Sequence, residues 1–388
     1  MKMADKILHF LKEEEKNALF DLERYVKIES PSTSPSSLFN AYHFLIEQFK
    51  KLNYFTNWIP GKESGGYLYA RPLKRIKKSE IQLIIGHTDT VWPLGTIEKM
   101  PVKKENDKMY GPGIYDMKSG IIQLIYALYS IQKLKFKPEV LPVILINSDE
   151  EVGSKESTSI ISRLSKIACR AFILEPSLGL EGKLKTRRLG VSKYIFKIEG
   201  KAAHAGLDPT KGASAIIELS HIIQKLASFN KPIKGVSVNV GMIEGGTRAN
   251  VIAAESSAIV DVRVPSISMA KKMDIKIKNI KPRDPGVKIE IIGGIGRPPM
   301  EATRRNELLW KLAKKNAALL NIDLKEGTAG GGSDGNTCSQ FTASLDGLGS
   351  VGDGAHANYE HIFQSKLIER SALLSLLIME GAMISTKN

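Results

Sequence analysis

Apolar positions along the chain recur at two different periods, and the changes of period mark out its elements. Ile7, Leu8 and Leu11, then Leu19, Leu22 and Val26, fall at helical spacing, so residues 1 to 27 predict a pair of amphipathic helices. Two prolines in the cluster Ser30 to Ser37 break that pattern. Leu38, Tyr42, Leu45, Phe49 and Leu52 then form the stripe of a further helix. Tyr67 to Arg71, Ile81 to Gly86, Val143 to Asn147 and Ala171 to Leu174 predict strands, and the last three have no polar face. Ile121 to Leu134 is apolar nearly all round, as a buried helix is. Apolar strands separated by helical segments predict an α/β fold whose mixed, largely parallel sheet is flanked by helices.

The pattern changes after about Arg188. Tyr194 to Glu199 alternates like a half-exposed strand, Ala213 to Ala227 is helical, and Gly235 to Met242 and Ser257 to Val264 predict further strands. A basic helix from Met269 to Ile280 and a strand from Val287 to Ile292 follow. Two helices on one antiparallel sheet make a smaller α+β module. Gly293-Gly294-Ile295-Gly296 with Pro298-Pro299 reads as the hinge that returns the chain, after which helices Asn306 to Leu320 and Ser365 to Met383 resume the first character. The expected division is therefore 1–187 and 298–388 for the larger domain and 188–297 for the inserted one.

At 388 residues the chain exceeds one comfortable core, which agrees with two domains. Its 42% hydrophobic and 25% charged residues are those of a soluble globular protein. No stretch approaches a membrane span: the run Ile121 to Leu128 is interrupted by Gln123, and the charged N-terminus lacks a secretory apolar region. A cytoplasmic protein with no membrane partner is expected. Cys169 and Cys338 have neither C-x-x-C spacing nor a disulfide framework. A net charge of +15 and a pI near 9.5 suit an acidic partner, which brings nucleic acid into consideration. The basic runs Lys74 to Lys78, Lys103 to Lys108, Lys271 to Lys281 and Lys311 to Lys315 are scattered, however, and not interleaved with aromatics. Solvated basic faces, or attraction of a small anionic substrate, account for the charge without nucleic acid.

Chemistry gathers where the apolar strands end. Ile81 to Ile85 runs into His87-Thr88-Asp89, whose first and third side chains share a side, so one can bind a metal while the other orients it; a polar loop is the alternative. Val143 to Asn147 runs into Glu150-Glu151, neighbours that point apart, which allows one to bind metal and the other to act as a base; a solvated pair is the alternative. Ala171 to Leu174 ends in Glu175-Pro176. The glycines of Gly111-Pro112-Gly113 deliver Asp116 at the mouth of the buried helix, where it is either a site residue or a helix N-terminal acid. Three strands closing on acidic or imidazole groups describe one site outside the carboxyl ends of a sheet. The loop Gly330-Gly331-Gly332-Ser333-Asp334 lacks the Lys-Ser/Thr ending of a phosphate loop, so a nucleotide hydrolase is set aside.

Taken in order, His87-x-Asp89, Gly111-x-Gly113-x-x-Asp116, Glu150-Glu151, Glu175-Pro176, Ala203-His204-Ala205-Gly206, Gly330-Gly331-Gly332-Ser333-Asp334 and His356 resemble the zinc exopeptidase family of glutamate carboxypeptidases, acetylornithine deacetylases and succinyl-diaminopimelate desuccinylases. The resemblance spans essentially the whole chain. It implies a catalytic α/β domain interrupted by a lid and dimerisation domain, here 188–297, and a homodimer. It implies that Asp116 bridges two Zn2+, with Co2+ or Mn2+ as substitutes, that His87 and Glu175 complete one ion, and that Glu151 and His356 complete the other. Asp89 would hydrogen-bond the His87 ring, Glu150 would be the general acid/base, and the Asp116-Met117 peptide would be cis. Two Zn2+ bring four positive charges, and Asp116, Glu151, Glu175 and Glu150 offset them one by one.

By the same resemblance His204 would donate to the scissile carbonyl oxygen across the dimer, and Arg263, Asn250, Lys183 and Gly331 would bind the substrate and its carboxylate. Pairing of Arg263 with Asp261 is the alternative for that residue. Two departures put glutamate specificity in question: Met117 replaces a second acid, and Arg187-Arg188 stand where small residues are usual. His9, His43, His221 and His361 are assigned to structure or surface. The function implied is a dinuclear metal-dependent hydrolase releasing an amino acid from a small peptide or N-acyl amino acid. A deacylase of the same fold is the nearest alternative, and a basic binding protein with a dead site the more distant one.

Overall fold

The computed structural model describes residues 2–74 and 79–382, so most of the basic run Lys74 to Lys78 and the expected helix end at Met383 lie outside the described residues. The chain forms two compact units. One consists of Arg188–Glu301 with Gly330–Gly332, and the other of the remaining described residues.

In the larger unit six strands lie in the spatial order Tyr54–Ile59, Tyr67–Pro72, Leu141–Asn147, Ile81–His87, Ala168–Ile173, Ala343–Leu345. The first two interfaces are antiparallel and the other three parallel, which makes the sheet mixed and largely parallel, as the apolar runs predict. Alternation sorts its side chains. Ile84, Ile144 and Phe172 face a core built with helices Ser119–Lys133 and Gln364–Met379, while Leu83, Ile85, Val143, Leu145, Ala171 and Ile173 face helix Thr158–Ile167. Both faces are covered, so the central strands carry no polar stripe.

One glycine is needed at the closest approach of helix and sheet. A Cβ on Gly120, at the start of helix Ser119–Lys133, would stand 2.3 Å from the Leu174 carbonyl oxygen. A second, small antiparallel sheet joins Gly352–Asp353, His361–Phe363, Lys108–Tyr110 and Lys103–Glu105 in that order. It sets the segment around His356 beside the loop that leads to Asp116.

The smaller unit is one antiparallel sheet in the order Ser237–Gly245, Glu255–Val264, Gly190–Glu199, Lys288–Arg297, with helices Ala215–Ala227 and Ile267–Lys278. Ser214 and Ser266 cap those helices by accepting the backbone N–H of Ile217 and Met269. Tyr194, Phe196 and Ile198 form its core with Ala258, Val260, Val262 and Val264, alternate positions of two paired strands.

Two sequence expectations are corrected here. Gly293-Gly294-Ile295-Gly296 is not a hinge: it is the end of strand Lys288–Arg297, with a bulge between Ile295 and Arg297. Gly293 has φ 105°, and a Cβ there would lie 2.2 Å from the Lys193 carbonyl oxygen, so these glycines serve close strand pairing rather than a turn. The unit also continues past 297 to Glu301 and takes in Gly330–Gly332, including Gly331. Met300 pairs with Arg188 in both directions, Glu301 accepts the N–H of Ile267 at 2.6 Å, and the Arg188 guanidinium donates to the carbonyls of Gly331 and Gly332. Among the described residues no helix is long and apolar enough to cross a membrane. Both cysteines are free, and burial pushes the Cys338 thiol up to about 12, which removes it as a nucleophile.

Candidate metal centre

His87 closes its strand opposite Asn147, at the carboxyl end of the parallel strands, with its side chain buried. Its Nδ1 bonds the carbonyl oxygen of Asp89 at 3.0 Å, which directs Nε2 toward Asp116 Oδ1 at 3.3 Å and Glu175 Oε1 at 3.6 Å. The Asp89 carboxylate lies 3.3 Å from Nδ1 through Oδ1, but its bonds go elsewhere. Oδ2 accepts the Ser32 hydroxyl at 2.7 Å and the Glu151 N–H at 3.2 Å. Asp89 thus orients the ring through its main chain, and its side chain fixes the neighbouring loop.

Asp116 does not sit in a helix. It occupies an irregular turn, Ile114–Lys118, with φ −113° and ψ 94°, and the peptide to Met117 is cis. Its two oxygens face different histidines: Oδ1 faces His87, and Oδ2 stands 3.5 Å from Nε2 of His356. The same His356 nitrogen is 3.3 Å from Glu151 Oε2. His356 holds φ 64°, a left-handed conformation seldom adopted by a non-glycine residue and one that aims its ring at the carboxylates. Met117 is buried, and its sulfur accepts the His87 N–H at 3.2 Å over the bare face of Gly86. Where a second acid is usual, this chain has packing.

Potential ligand atoms converge in two groups, His87 with Glu150 and Glu175, and His87 with Asp116 and Glu151, each within 4.8 Å. Burial opposes a charge on His87, yet the Asp116, Asp89 and Glu175 carboxylates outweigh it and hold the imidazole well above its usual range. Asp116 and Glu151 raise His356 to about 10. Burial acts to raise Asp116, but His356 and His87, helped by the charge of Lys185, hold it below the usual carboxylate range; Glu151 is pushed up by burial. The centre therefore concentrates negative charge around two nitrogens. His87 Nε2, Asp116 Oδ1 and Glu151 Oε1 are buried without a hydrogen-bond partner, a costly arrangement for a dry site. Imidazole and carboxylate donors of this kind fit a pair of divalent metal ions such as Zn2+.

Sequence reasoning missed the groups that hold these side chains in place. Asp334 accepts the Ser154 hydroxyl at 2.5 Å and the Asn147 amide at 2.7 Å, tying down the loop that carries Glu150 and Glu151. Asp149 holds the far side of that loop through the Ser157 hydroxyl and the Glu156 N–H. Lys118 is buried and donates to the Ile28 carbonyl at 2.5 Å, and burial pushes it down to about 7. Glu360 accepts four hydrogen bonds from the Asp116 loop and Trp92. Nothing in the sequence around it signals that role.

In the smaller unit, His204 Nδ1 accepts the N–H groups of Gly206 and Leu207, each at 3.2 Å. The ring proton is thereby assigned to Nε2 on an exposed side chain. Asn250 lies next to it, since the Ala205 N–H donates to the Asn250 carbonyl at 3.0 Å. Arg263 grips Asp261 with Nε at 2.7 Å and Nη2 at 2.9 Å, the alternative raised for it, and its Nη1 reaches the Gly330 carbonyl at 3.4 Å. Lys183, in the larger unit, pairs with Glu181 at 2.6 Å. Of the remaining histidines, His9 meets Glu13, His43 lies on Phe39 and His221 meets Arg283. His361 is buried and bonds the Tyr359 carbonyl.

The family model described as peptidase family M20/M25/M40 matches residues 83–380. Carboxypeptidase G2 of Pseudomonas sp. (strain RS-16) is 26% identical over 376 residues, covering 92% of this chain and 88% of that protein. A succinyl-diaminopimelate desuccinylase of Thioalkalivibrio sulfidiphilus is 25% identical over 308 residues, covering 75% and 81%. Among solved structures, aminopeptidase PepT of Bacillus cereus superposes with a TM-score of 0.79 at 18% identity, over 94% of this chain and 98% of that one, a likeness of fold.

Proposed function

The chain belongs to peptidase family M20/M25/M40, and from that premise we propose that it is a dinuclear zinc hydrolase that releases a carboxylate-bearing amino acid from a small peptide or N-acyl amino acid. The observation that carries this reading is Asp116, whose two oxygens face His87 on one side and His356 on the other. His87, Asp116 and Glu175 would hold one ion, and Asp116, Glu151 and His356 the second, with Co2+ or Mn2+ as substitutes. A metal pair supplies Lewis acidity, polarising an amide carbonyl and lowering the pKa of a water molecule.

Glu150, half-buried beside His87 and Glu175, takes the proton of the attacking water and delivers it to the departing amine. Asp89 keeps the His87 Nδ1–H engaged and the Glu151 backbone in place. His204, with its proton on Nε2, serves as a donor to the carbonyl oxygen as negative charge develops there. Arg263, Asn250, Lys183 and Gly331 are the residues read as recognising the substrate carboxylate, Arg263 as a guanidinium already steadied by Asp261.

The smaller unit is read as lid and dimerisation domain. It exposes Ile216, Ile217, Met242 and Ile243, with Ile216 beside Gly245, an apolar surface suited to a second copy of the chain. A deacylase is the second reading, favoured by the likeness to a desuccinylase. The test is to load metal-free protein with zinc, cobalt or manganese, measure bound metal, and screen dipeptides and N-acyl amino acids. Stoichiometric metal with hydrolysis supports the reading, and a chain that retains no metal or cleaves no amide overturns it. Preference for free C-terminal residues over acyl groups separates carboxypeptidase from deacylase.

A further inference from the structure

Glu360 is fully buried, and both of its oxygens are used twice. Oε1 accepts the N–H groups of Tyr115 at 2.9 Å and Asp116 at 3.0 Å, and Oε2 accepts the Gly113 N–H at 2.9 Å and the Trp92 indole N–H at 2.8 Å. Its own carbonyl accepts the Gly111 N–H at 3.2 Å. Only a carboxylate offers two acceptor ends to such a ring of donors, because an amide would turn an NH2 toward two of them. Gly113 makes the convergence possible: it holds φ 69°, and a Cβ there would stand 2.4 Å from Thr90 Cγ2.

The same residue terminates the turn that carries His356. Ala357 donates to the Gly354 carbonyl at 2.8 Å and Glu360 to the Ala357 carbonyl at 2.9 Å, after which His361–Phe363 pairs with Lys108–Tyr110. Glu360 therefore grips the Asp116 turn with its side chain while its backbone ends the turn holding His356. If it only neutralised stray N–H groups, those two ligands would not depend on it together.

We propose that Glu360 is a positioning residue that sets the placement of Asp116 relative to His356, and through it the affinity of the metal site formed by Asp116, Glu151 and His356. The proposal rests on the paired-metal reading above. Its test is cobalt titration of metal-free native chain, Glu360→Gln and Trp92→Phe, followed by visible absorption and bound-metal stoichiometry, with thermal melting of each metal-free protein alongside. In Glu360→Gln the second Co2+ binds about 10 to 100-fold more weakly, and the first, which shares Asp116 but keeps His87 and Glu175, is weakened less. In the same variant kcat falls with little change in KM.

Trp92→Phe removes one of the four donors and produces a smaller weakening of the same second site. It carries the test alone if Glu360→Gln does not fold. Native affinity for both ions in a folded Glu360→Gln, or an unaltered second site in Trp92→Phe when only that variant folds, overturns the proposal while leaving the paired-metal reading intact. A native chain that takes up no stoichiometric cobalt overturns that reading and this proposal with it.

Discussion

The Ser32 hydroxyl donates to Asp89 Oδ2 at 2.7 Å, so a loop near the N-terminus anchors the carboxylate that also receives the Glu151 N–H. Asp89 is wholly buried, and its main-chain carbonyl orients the His87 ring. Substituting the side chain leaves that carbonyl in place but frees the loop that begins at Glu151. Asp89→Ala should therefore weaken metal affinity or turnover by about 10 to 100-fold, and Ser32→Ala by less. Metal titration of the two variants against native protein checks the order.

In the proposed reading Glu150 handles the proton while its neighbours hold the metal. Glu150→Gln should retain both metal ions and lose about 10² to 10⁴ in kcat, because the amide cannot accept the proton from water. Single-turnover kinetics on metal-quantified protein makes the measurement. Near-native turnover would remove Glu150 as the base.

His204 Nδ1 is occupied by the N–H groups of Gly206 and Leu207, which leaves Nε2 as the atom proposed to donate to the substrate. His204→Ala should lower kcat by about 10² to 10³, with bound metal and oligomeric state unchanged. Sedimentation together with steady-state kinetics separates a lost donor from a lost assembly.

Glu156 gives a pH prediction away from the centre. Burial acts to raise its pKa, but the Ser64 hydroxyl and the N–H groups of Lys62, Ser64 and Glu63 outweigh burial and hold it near 2, against 4.5 for a free glutamate. A folded-state value below the unfolded one adds stability that is complete above about pH 4.5 and is lost as pH falls toward 2. Glu156→Gln should flatten the acid limb of stability in that window, as melting temperature against pH will show. A limb parallel to that of the native chain would mean that the loop bonds contribute nothing.

Gly120→Ala forces a methyl against the Leu174 carbonyl, which precedes Glu175. Overpacking of this kind costs about 1 to 3 kcal/mol. The variant should unfold at lower denaturant and bind its first metal ion less tightly, and urea titration with metal titration checks both.

Much of the larger unit is legible in the sequence because its strands are buried on both faces and end abruptly. Ile81 to Ile85 stops at His87 and Ala171 to Leu174 stops at Glu175, and a sheet parallel at those strands brings the stops together. Asp116 is harder, since its turn obeys no period, and only its glycines and the family resemblance single it out. The hinge reading of Gly293 to Gly296 fails because a glycine pair that breaks a strand and one that lets two strands approach look alike along the chain. Glu360 leaves no local trace, and Asp334 stands in a quoted motif that does not reveal its role: their partners are backbone N–H groups and loop side chains far off in sequence, a relation set by tertiary packing alone. The Arg263 fork to Asp261 is a different case, because two residues apart on a strand share a face, and that alternation alone is enough to pair them.

The small sheet that joins Lys108–Tyr110 to His361–Phe363 has a consequence for biosynthesis. During translation the turn bearing Asp116 leaves the ribosome long before His356 and Glu360 are made. Until those late residues arrive, the turn lacks the carboxylate that gathers its amides, and one of the two imidazoles is missing. The nascent chain thus cannot assemble the candidate metal centre until the segment through Phe363 has been synthesised.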